Sequence, residues 1–199
     1  MNRDDWNARY RTDELVWSGE ANRFVVAECA SLPVGRMLDL AAGEGRNAVW
    51  FAQQGWQATA VDFSEVAMAK AARLAADRGV ELRTVTADVT TFEPEPAAFD
   101  LVLVAYLQVP EADRVAALGH AARALAAGGT LLVVAHDRSN LDGGWGGPRD
   151  PSVQATPGEV RAVLEGLGLD VTKAERVERP VETPEGPRVA FDHVVVARR

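Results

Sequence analysis

The sequence predicts one α/β domain built on a largely parallel sheet, and three observations carry the prediction. Stretches of strand period and helix period alternate along the chain. Phe99–Ala105 reads Phe-Asp-Leu-Val-Leu-Val-Ala, a near-continuous apolar run of the kind buried on both faces of a parallel sheet. The chain then closes on two strand-like stretches, Leu169–Val177 and Val189–Ala197. They flank Pro184-Glu185-Gly186-Pro187, so an antiparallel hairpin is expected at one end of the sheet.

The elements follow in order. Residues 1–34 are mixed and aromatic, with Trp6, Tyr10, Trp17 and Phe24, and 20–31 has the composition of a helix. Arg36–Ala41 reads as a buried strand through Met37, Leu38 and Leu40. Arg46–Gln54 reads as a helix stopped by Gly55, and Gln57–Asp62 as a second strand. Ser64 is a natural N-cap for an Ala-rich helix running to Arg78 and closed by Gly79. Glu81–Ala87 alternates with period two and reads as a third strand, and Phe99–Ala105 is the fourth. Glu111–Ala127 is a helix whose Val115, Leu118, Ala122 and Leu125 share one face, ended by Gly128-Gly129 before a fifth strand, Thr130–His136. Residues 137–155 are rich in Gly, Pro and Asp and long for a connector. Thr156-Pro157-Gly158-Glu159 is a capping box with proline at the first helical position, followed by Val160, Val163, Leu164 and Leu167 at one-face spacing.

Composition narrows the function classes. A chain of 199 residues suits one domain that needs neither disulfide nor metal to hold a core. The net charge of −8, with no basic block, argues against a nucleic-acid partner. No apolar run has the length of a membrane span. The opening Met1-Asn2-Arg3-Asp4-Asp5 is too polar for a signal peptide, so a cytoplasmic location is expected. The single cysteine, Cys29, sits among apolar residues and reads as a small buried hydrophobe. No His/Cys/Asp cluster has metal-ligand spacing, and no metal is expected.

The chemistry concentrates in Leu38-Asp39-Leu40-Ala41-Ala42-Gly43-Glu44-Gly45-Arg46-Asn47, where a strand runs through a small-residue turn into a helix. In open α/β sheets the ligand crevice lies at the carboxyl ends of the strands. Small residues at 41–45 let a ligand approach the backbone, and glycine tolerates positive φ. The next strand ends at Asp62, whose carboxylate has the acceptors for two ribose hydroxyls. The third ends at Ala87-Asp88, where a carboxylate can meet the exocyclic amine of an adenine. Asp39, the turn, Asp62 and Asp88 therefore fall at corresponding ends of successive strands.

In these residues the chain resembles the class I S-adenosylmethionine-dependent methyltransferases over nearly its whole length. Asp39 to Gly45 match the family's acidic residue and alternating glycines, with Ala41 where the family usually has glycine. Alanine is comfortable only at negative φ, so a slightly different turn is expected there. The resemblance implies a Rossmann-like, doubly wound seven-stranded sheet, mostly parallel with an antiparallel last strand, in the order 3-2-1-4-5-7-6. It implies S-adenosyl-L-methionine as cofactor and a cofactor site made of Asp39, Ala41, Gly43, Arg46, Asp62, Phe63, Asp88, Val89 and Ala105. Asp62 is to hold the ribose, Phe63 to pack on the adenine, Asp88 with Val89 to meet the adenine amine, and Ala105 to lie by the methionine part.

The pattern Trp6–Tyr10–Trp17–Asn22, with Gly43-Glu44-Gly45-Arg46-Asn47, is similar to the tellurite-resistance and thiopurine-type small-molecule methyltransferases. That similarity implies that residues 1–34 form a helical cap over the cofactor, with Tyr10 or Trp17 near its methionine part. Ala105-Tyr106-Leu107-Gln108-Val109-Pro110 lacks the Asn/Asp-Pro-Pro-Tyr signature of many DNA and protein amide-nitrogen methylases. A small-molecule acceptor (thiol, oxygen, nitrogen or metalloid) is therefore expected, reached by in-line displacement. Tyr106 and His136, with Asp137 beside it, are the candidate bases, while His120 reads as exposed and His193 as structural. The loop Asn140–Ser152, with Trp145 among glycines, reads equally as a substrate lid or a plain surface loop.

Two other readings compete. Gly43-x-Gly45-x-x-Ala48 has the outline of a dinucleotide fingerprint, which would make the protein an NAD(P)-dependent oxidoreductase. Asp39 ahead of the glycines, the missing third glycine and the closing hairpin oppose it. The second is a regulatory protein that keeps the cofactor site without catalysis, recognisable by a blocked acceptor pocket.

Overall fold

The computed structural model describes residues 2–199; Met1, the first residue of the expected 1–34 cap, lies outside the described residues. Seven strands form one sheet in the order β3-β2-β1-β4-β5-β7-β6, the order the family resemblance implies. The strands are β1 (Arg36–Leu40), β2 (Gln57–Asp62), β3 (Arg83–Thr86), β4 (Phe99–Ala105), β5 (Leu125–His136), β6 (Asp170–Thr183) and β7 (Gly186–Arg198). The first five run parallel. β7 runs antiparallel to both β5 and β6.

Among the described residues the α-helices are α1 (Arg3–Tyr10), which packs on α4, and α2 (Arg23–Cys29), α3 (Arg46–Gln53), α4 (Glu65–Asp77), α5 (Glu111–Ala124) and α6 (Pro157–Gly166), which flank the sheet. Two apolar layers result. One joins Val25 and Cys29 of α2, Ala48 and Phe51 of α3 and Met68 and Ala71 of α4 to Met37, Leu101, Leu103 and Val134. The other joins Leu118 and Ala121 of α5 and Val160 and Leu164 of α6 to Leu38, Val102, Val104 and Val133. Residues of each parallel strand thus alternate between two covered faces, which is why β1 and β4 are apolar nearly throughout. Cys29 is buried in the first layer as expected. Among the described residues no helix is long and apolar enough to cross a membrane.

The helix starts follow their side-chain signals. Ser64 Oγ accepts the Ala67 amide, and Thr156 and Glu159 form the reciprocal capping box with Pro157 at the first helical position. Other boundaries differ from expectation. β3 is only Arg83–Thr86, because at the sheet edge it pairs with β2 alone. α5 ends at Ala124 and Gly128-Gly129 lie inside β5, where the register against β4 shifts. A Cβ on Gly129 would come within 3.0 Å of the Phe99 carbonyl, so glycine permits this close strand approach. Val115 of α5 and Leu167 after α6 are exposed, and the buried face of α5 is carried by Ala117, Leu118, Ala121 and Ala122. The closing hairpin reaches Thr183 and Gly186 across a two-residue turn at Pro184-Glu185. Pro180 does not break it, because it stands on the edge strand β6, where a missing ladder donor is tolerated.

Residues 137–155 are ordered by their polar side chains. Two 3-10 turns, Arg138–Asp142 and Pro151–Val153, begin at Asp137 and Asp150, each of which accepts the amide two residues on. Buried Asn140 donates to the Gly146 carbonyl at 2.7 Å and accepts the Phe191 amide of β7 at 2.9 Å. The Trp145 amide donates to Val189 O.

Candidate functional site

The carboxyl ends of β1, β2 and β3 form one rim, and the turn after β1 crosses it. In that turn Ala41, Gly43 and Gly45 all have positive φ, at 60°, 54° and 77°. Ala41 therefore takes the left-handed conformation that glycine usually supplies. The expectation that alanine would avoid positive φ here is corrected: Ala41 stands at φ 60° and is strained. At Gly43 a Cβ would lie 3.0 Å from the Tyr10 hydroxyl, so a side chain there would have to push Tyr10 back. At Gly45 a Cβ would lie 2.6 Å from Cβ of Ala71, so glycine lets α3 start against α4.

Asp62 ends β2 and is buried. Its Oδ2 accepts the Gly43 amide and its Oδ1 the Ser64 amide, each at 2.9 Å. One carboxylate thereby holds the glycine turn and the start of α4 together, a structural duty beyond the ribose contact expected from sequence. Each oxygen retains a further lone pair. Burial raises its pKa, and the bonds from Ser64 and Gly43 oppose that rise. Asp39 differs. It is fully buried on β1, and neither oxygen has a hydrogen-bond partner. Burial, with the Asp62 carboxylate adding to it, pushes Asp39 up to about 8. Asp88 follows β3, half-buried, with Oδ1 taken by the amide and hydroxyl of Thr90 at 2.9 and 2.7 Å. Phe63 is half-exposed beside Asp62, whereas Val89 is buried in the α5/α6 layer. Thr90 O approaches His120 Nε2 at 3.2 Å, so His120 is partly enclosed and not free on the surface.

The N-terminal residues are tied to this rim. Asn7 of α1 is buried, donates to Glu65 and accepts the Ser64 hydroxyl at 2.6 Å. Glu44, between the two glycines, accepts the Val16 and Trp17 amides at 3.1 Å and pairs with Lys70 at 2.9 Å. Lys70 also donates to Thr12 Oγ1 and Glu14 O. Tyr10 is buried against Gly43 and stacks on Trp6 at 5.3 Å, and burial pushes its hydroxyl to about 12. Trp17 is exposed, with the Arg9 guanidinium 5.1 Å from its ring. Arg46, the first residue of α3, is half-buried, and burial lowers its pKa. It donates to Ser18 Oγ at 3.3 Å.

A second cluster stands at the ends of β4, β5 and β7. Ala105 is half-buried at the end of β4, and Tyr106 follows it at φ 57°. The Tyr106 hydroxyl donates to Asp192 Oδ2 at 2.8 Å and lies 3.3 Å from its donor Asn22 Nδ2. Asp192, fully buried on β7, also meets His136 Nδ1 at 2.8 Å and Arg179 Nε at 2.6 Å. Burial acts to raise the Asp192 pKa, but His136 and Arg179 hold it below the usual carboxylate value. Burial, then the Asp192 charge, pushes Tyr106 up to about 12, so its hydroxyl stays a donor. Asp137 and His193 lie on the opposite face. Asp137 is buried and receives the Ser139 amide and hydroxyl, which removes it from the cluster of His136. His193 is buried with neither ring nitrogen bonded, and burial lowers it to about 4.

Asp192 and Arg179 escaped the sequence reading, although an Asp in the apolar run Val-Ala-Phe-Asp-His-Val-Val-Val was a visible signal. Asn7 and Lys70 carried none, since isolated polar residues on helices are ordinary.

Residues 37–129 match the family model described as a methyltransferase domain. Among curated proteins, the chain is similar to a demethylmenaquinone methyltransferase of Thermus thermophilus. The two are 38% identical over 101 residues, covering 50% of this chain and 46% of that protein. The chain spans about half the length of the curated relatives it matches. Among solved structures, one comes from work on the conversion of a disulfide bond into a thioacetal group during echinomycin biosynthesis. It superposes with TM-score 0.79 at 20% identity, covering 99% of this chain and 92% of that one. TehB from Haemophilus influenzae gives 0.73 at 16% identity, covering 99% of this chain and 66% of that one. These likenesses establish the methyltransferase fold for the chain.

Proposed function

We propose that this chain is an S-adenosylmethionine-dependent methyltransferase acting on a small-molecule acceptor. The observation that carries the reading is the row of Asp39, Asp62 and Asp88 along the ends of β1, β2 and β3, on a turn with three left-handed residues. The methyltransferase-domain match over the same residues supports it. The antiparallel β7 and that match favour it over a nicotinamide-dependent oxidoreductase.

The donor set fits the cofactor. Asp62 has lone pairs left for ribose hydroxyls, and Asp88 has Oδ2 left for an adenine amine, with Phe63 beside them. The orphaned Asp39 carboxylate suits an α-ammonium group, which would supply the missing partner and favour its ionised form. Arg46 is the counterpart for the α-carboxylate. Ala41 and Gly43 offer backbone at close range, and Ala105 walls the methionine side. Val89, buried in the core, supports Asp88 from behind. Residues 2–34 act as the cap, held by Glu44 and Lys70, with the Tyr10 hydroxyl and the Trp17 amide against the glycine turn. A cap of this kind is what supports kinship with the tellurite-resistance type of small-molecule methyltransferase.

Bound S-adenosylmethionine supplies a methyl carbon on a positively charged sulfur. The chain's residues hold that carbon in line with the acceptor and exclude water, and such alignment accounts for much of the rate in displacement reactions. Titration calorimetry with S-adenosylmethionine, S-adenosylhomocysteine and NAD tests the reading. Micromolar binding of both sulfur compounds is expected (about −8 kcal/mol), and binding of NAD alone would overturn it.

A further inference from the structure

We propose that His136 is the general base for the methyl acceptor, held in its reactive tautomer by Asp192, and that the acceptor is an uncharged small molecule with an ionisable O–H or S–H, of the phenol or thiol class. The proposal rests on the methyltransferase reading and assigns the acceptor side of the same crevice.

The strand order places the switch point between β1 and β4, with the carboxylate rim on one side and the ends of β4, β5 and β7 on the other. His136 is the last residue of β5 and Asp192 is its direct cross-strand partner on β7. Nδ1 faces Asp192 Oδ1 at 2.8 Å. An ionised carboxylate only accepts, so Nδ1 must carry the proton and a neutral His136 presents Nε2 as a bare acceptor. Asp192 is built to stay ionised and still. Its other oxygen receives the Tyr106 hydroxyl and Arg179 Nε, and Asn22 holds Tyr106 from the N-terminal side. The Tyr106 ring also meets the imidazole edge-on at 5.0 Å, which fixes its plane. Tyr106 stands at positive φ to do this, a strained conformation of the sort that collects at functional sites.

Charge then describes the acceptor. Gly147 of the 137–155 loop lies over the imidazole, and a Cβ there would sit 3.0 Å from Nε2. Glycine thus lets the loop backbone close onto the ring, where a side chain would clash with it. Arg179 matches Asp192, so the cluster has no net charge to attract an ion. Half-buried Ala105 and Tyr106 stand at the end of β4, and half-buried Val177 of β6 is the cross-strand partner of Asp192. An acceptor that arrives neutral and must lose a proton suits this uncharged cluster.

The step balances. The acceptor X–H bond breaks as its proton moves to His136 Nε2, and the X lone pair forms the X–CH3 bond. The C–S pair leaves with sulfur, which becomes a neutral thioether. The positive charge passes from sulfur to the imidazolium, which Asp192 stabilises. Asp192 is a positioning residue, since it acts only through His136.

Two measurements on the full chain test this. In 15N spectra at pH 8, assigned by loss of the signal in His136→Gln, His136 should show a protonated Nδ1 and a bare Nε2, and Asp192→Asn should weaken that preference. A protonated Nε2 in the wild type overturns the proposal. Methyl transfer from S-adenosylmethionine is then compared for 4-methoxyphenol, un-ionised at that pH, and 4-nitrothiophenol, already a thiolate. His136→Gln should lose about 10²-fold or more with the phenol, the usual worth of a general base, and at least tenfold less with the thiolate. Asp192→Asn should lower kcat for the phenol while leaving its KM within about threefold. Equal losses for the two probes in His136→Gln overturn the role of base. Wild-type protein that binds S-adenosylmethionine in calorimetry but methylates neither probe overturns the acceptor class alone. Absence of that binding overturns the underlying reading as well.

Discussion

At the scale of single residues, the site stores free energy in two places. Ala41 sits at φ 60°, a conformation that costs an L-residue roughly 1–2 kcal/mol. Glycine recovers that cost but loses some through greater freedom in the unfolded chain. Ala41→Gly should therefore stabilise the protein by about 0.5–1 kcal/mol in urea unfolding. Asp39 is the second place. The folded protein keeps its proton up to about pH 8, whereas the unfolded chain releases it near the ordinary value of 3.8. Between those values the unfolded state binds fewer protons, so stability falls as pH rises and levels off above about 8. Asp39→Asn should flatten that fall and raise the stability of the ligand-free protein at pH 8. The same variant should weaken S-adenosylmethionine binding by roughly 1–3 kcal/mol, as expected for a lost charge-assisted bond. Weaker binding without the gain in stability would show that Asp39 is not strained by burial.

At the scale of elements, the N-terminal segment and the 137–155 loop approach the crevice from two sides. Glu44 joins the first to the glycine turn through the Val16 and Trp17 amides and Lys70. Glu44→Gln should speed hydrogen exchange at those two amides by about tenfold or more, since a buried pair with one partner neutralised loses most of its hold. It should weaken cofactor affinity in parallel while leaving exchange in β4 unchanged. The loop is pinned by Asn140 to Gly146 O and to the Phe191 amide. Gly147→Ala adds a Cβ 2.6 Å from His136 Cδ2 at a φ of 73°. It should cost about 1–2 kcal/mol of local strain and raise acceptor KM with little change in cofactor affinity. Helix starts were legible because caps are local, as at Ser64 and Thr156. The hairpin's length was not, because Pro180 reads as a breaker until β6 is known to be the edge strand.

At the scale of the molecule, the sheet holds the carboxylate rim and the His136 cluster on either side of one switch point, linked by Asn22, which bonds both Asn47 of α3 and the Tyr106 hydroxyl. A ligand that bridges the rim stabilises the whole fold by mass action, about 2.7 kcal/mol at a hundredfold excess over Kd. For a domain of this size that is a rise of roughly 5–11 °C in the thermal midpoint. S-adenosylmethionine and S-adenosylhomocysteine should produce it and NAD should not. A midpoint unmoved by either sulfur compound would count against the proposed cofactor.

The sequence by itself determined the fold class and the carboxylate rim. Strand period, apolar runs and small-residue turns are short-range properties, and Asp39, Asp62 and Asp88 each stand at a strand end that the local pattern marks. Only the tertiary structure decided how Ala41 bends, that Asp62 spends its first bonds on the glycine turn, and which groups surround His136. Asn22, Tyr106, His136, Arg179 and Asp192 come from five separate parts of the chain. Their meeting depends on the β5–β7 register, which places Asp192 opposite His136. A one-residue slip would turn Asp192 to the other face. Register of this kind is set by packing across the whole sheet, and no local pattern in the sequence records it.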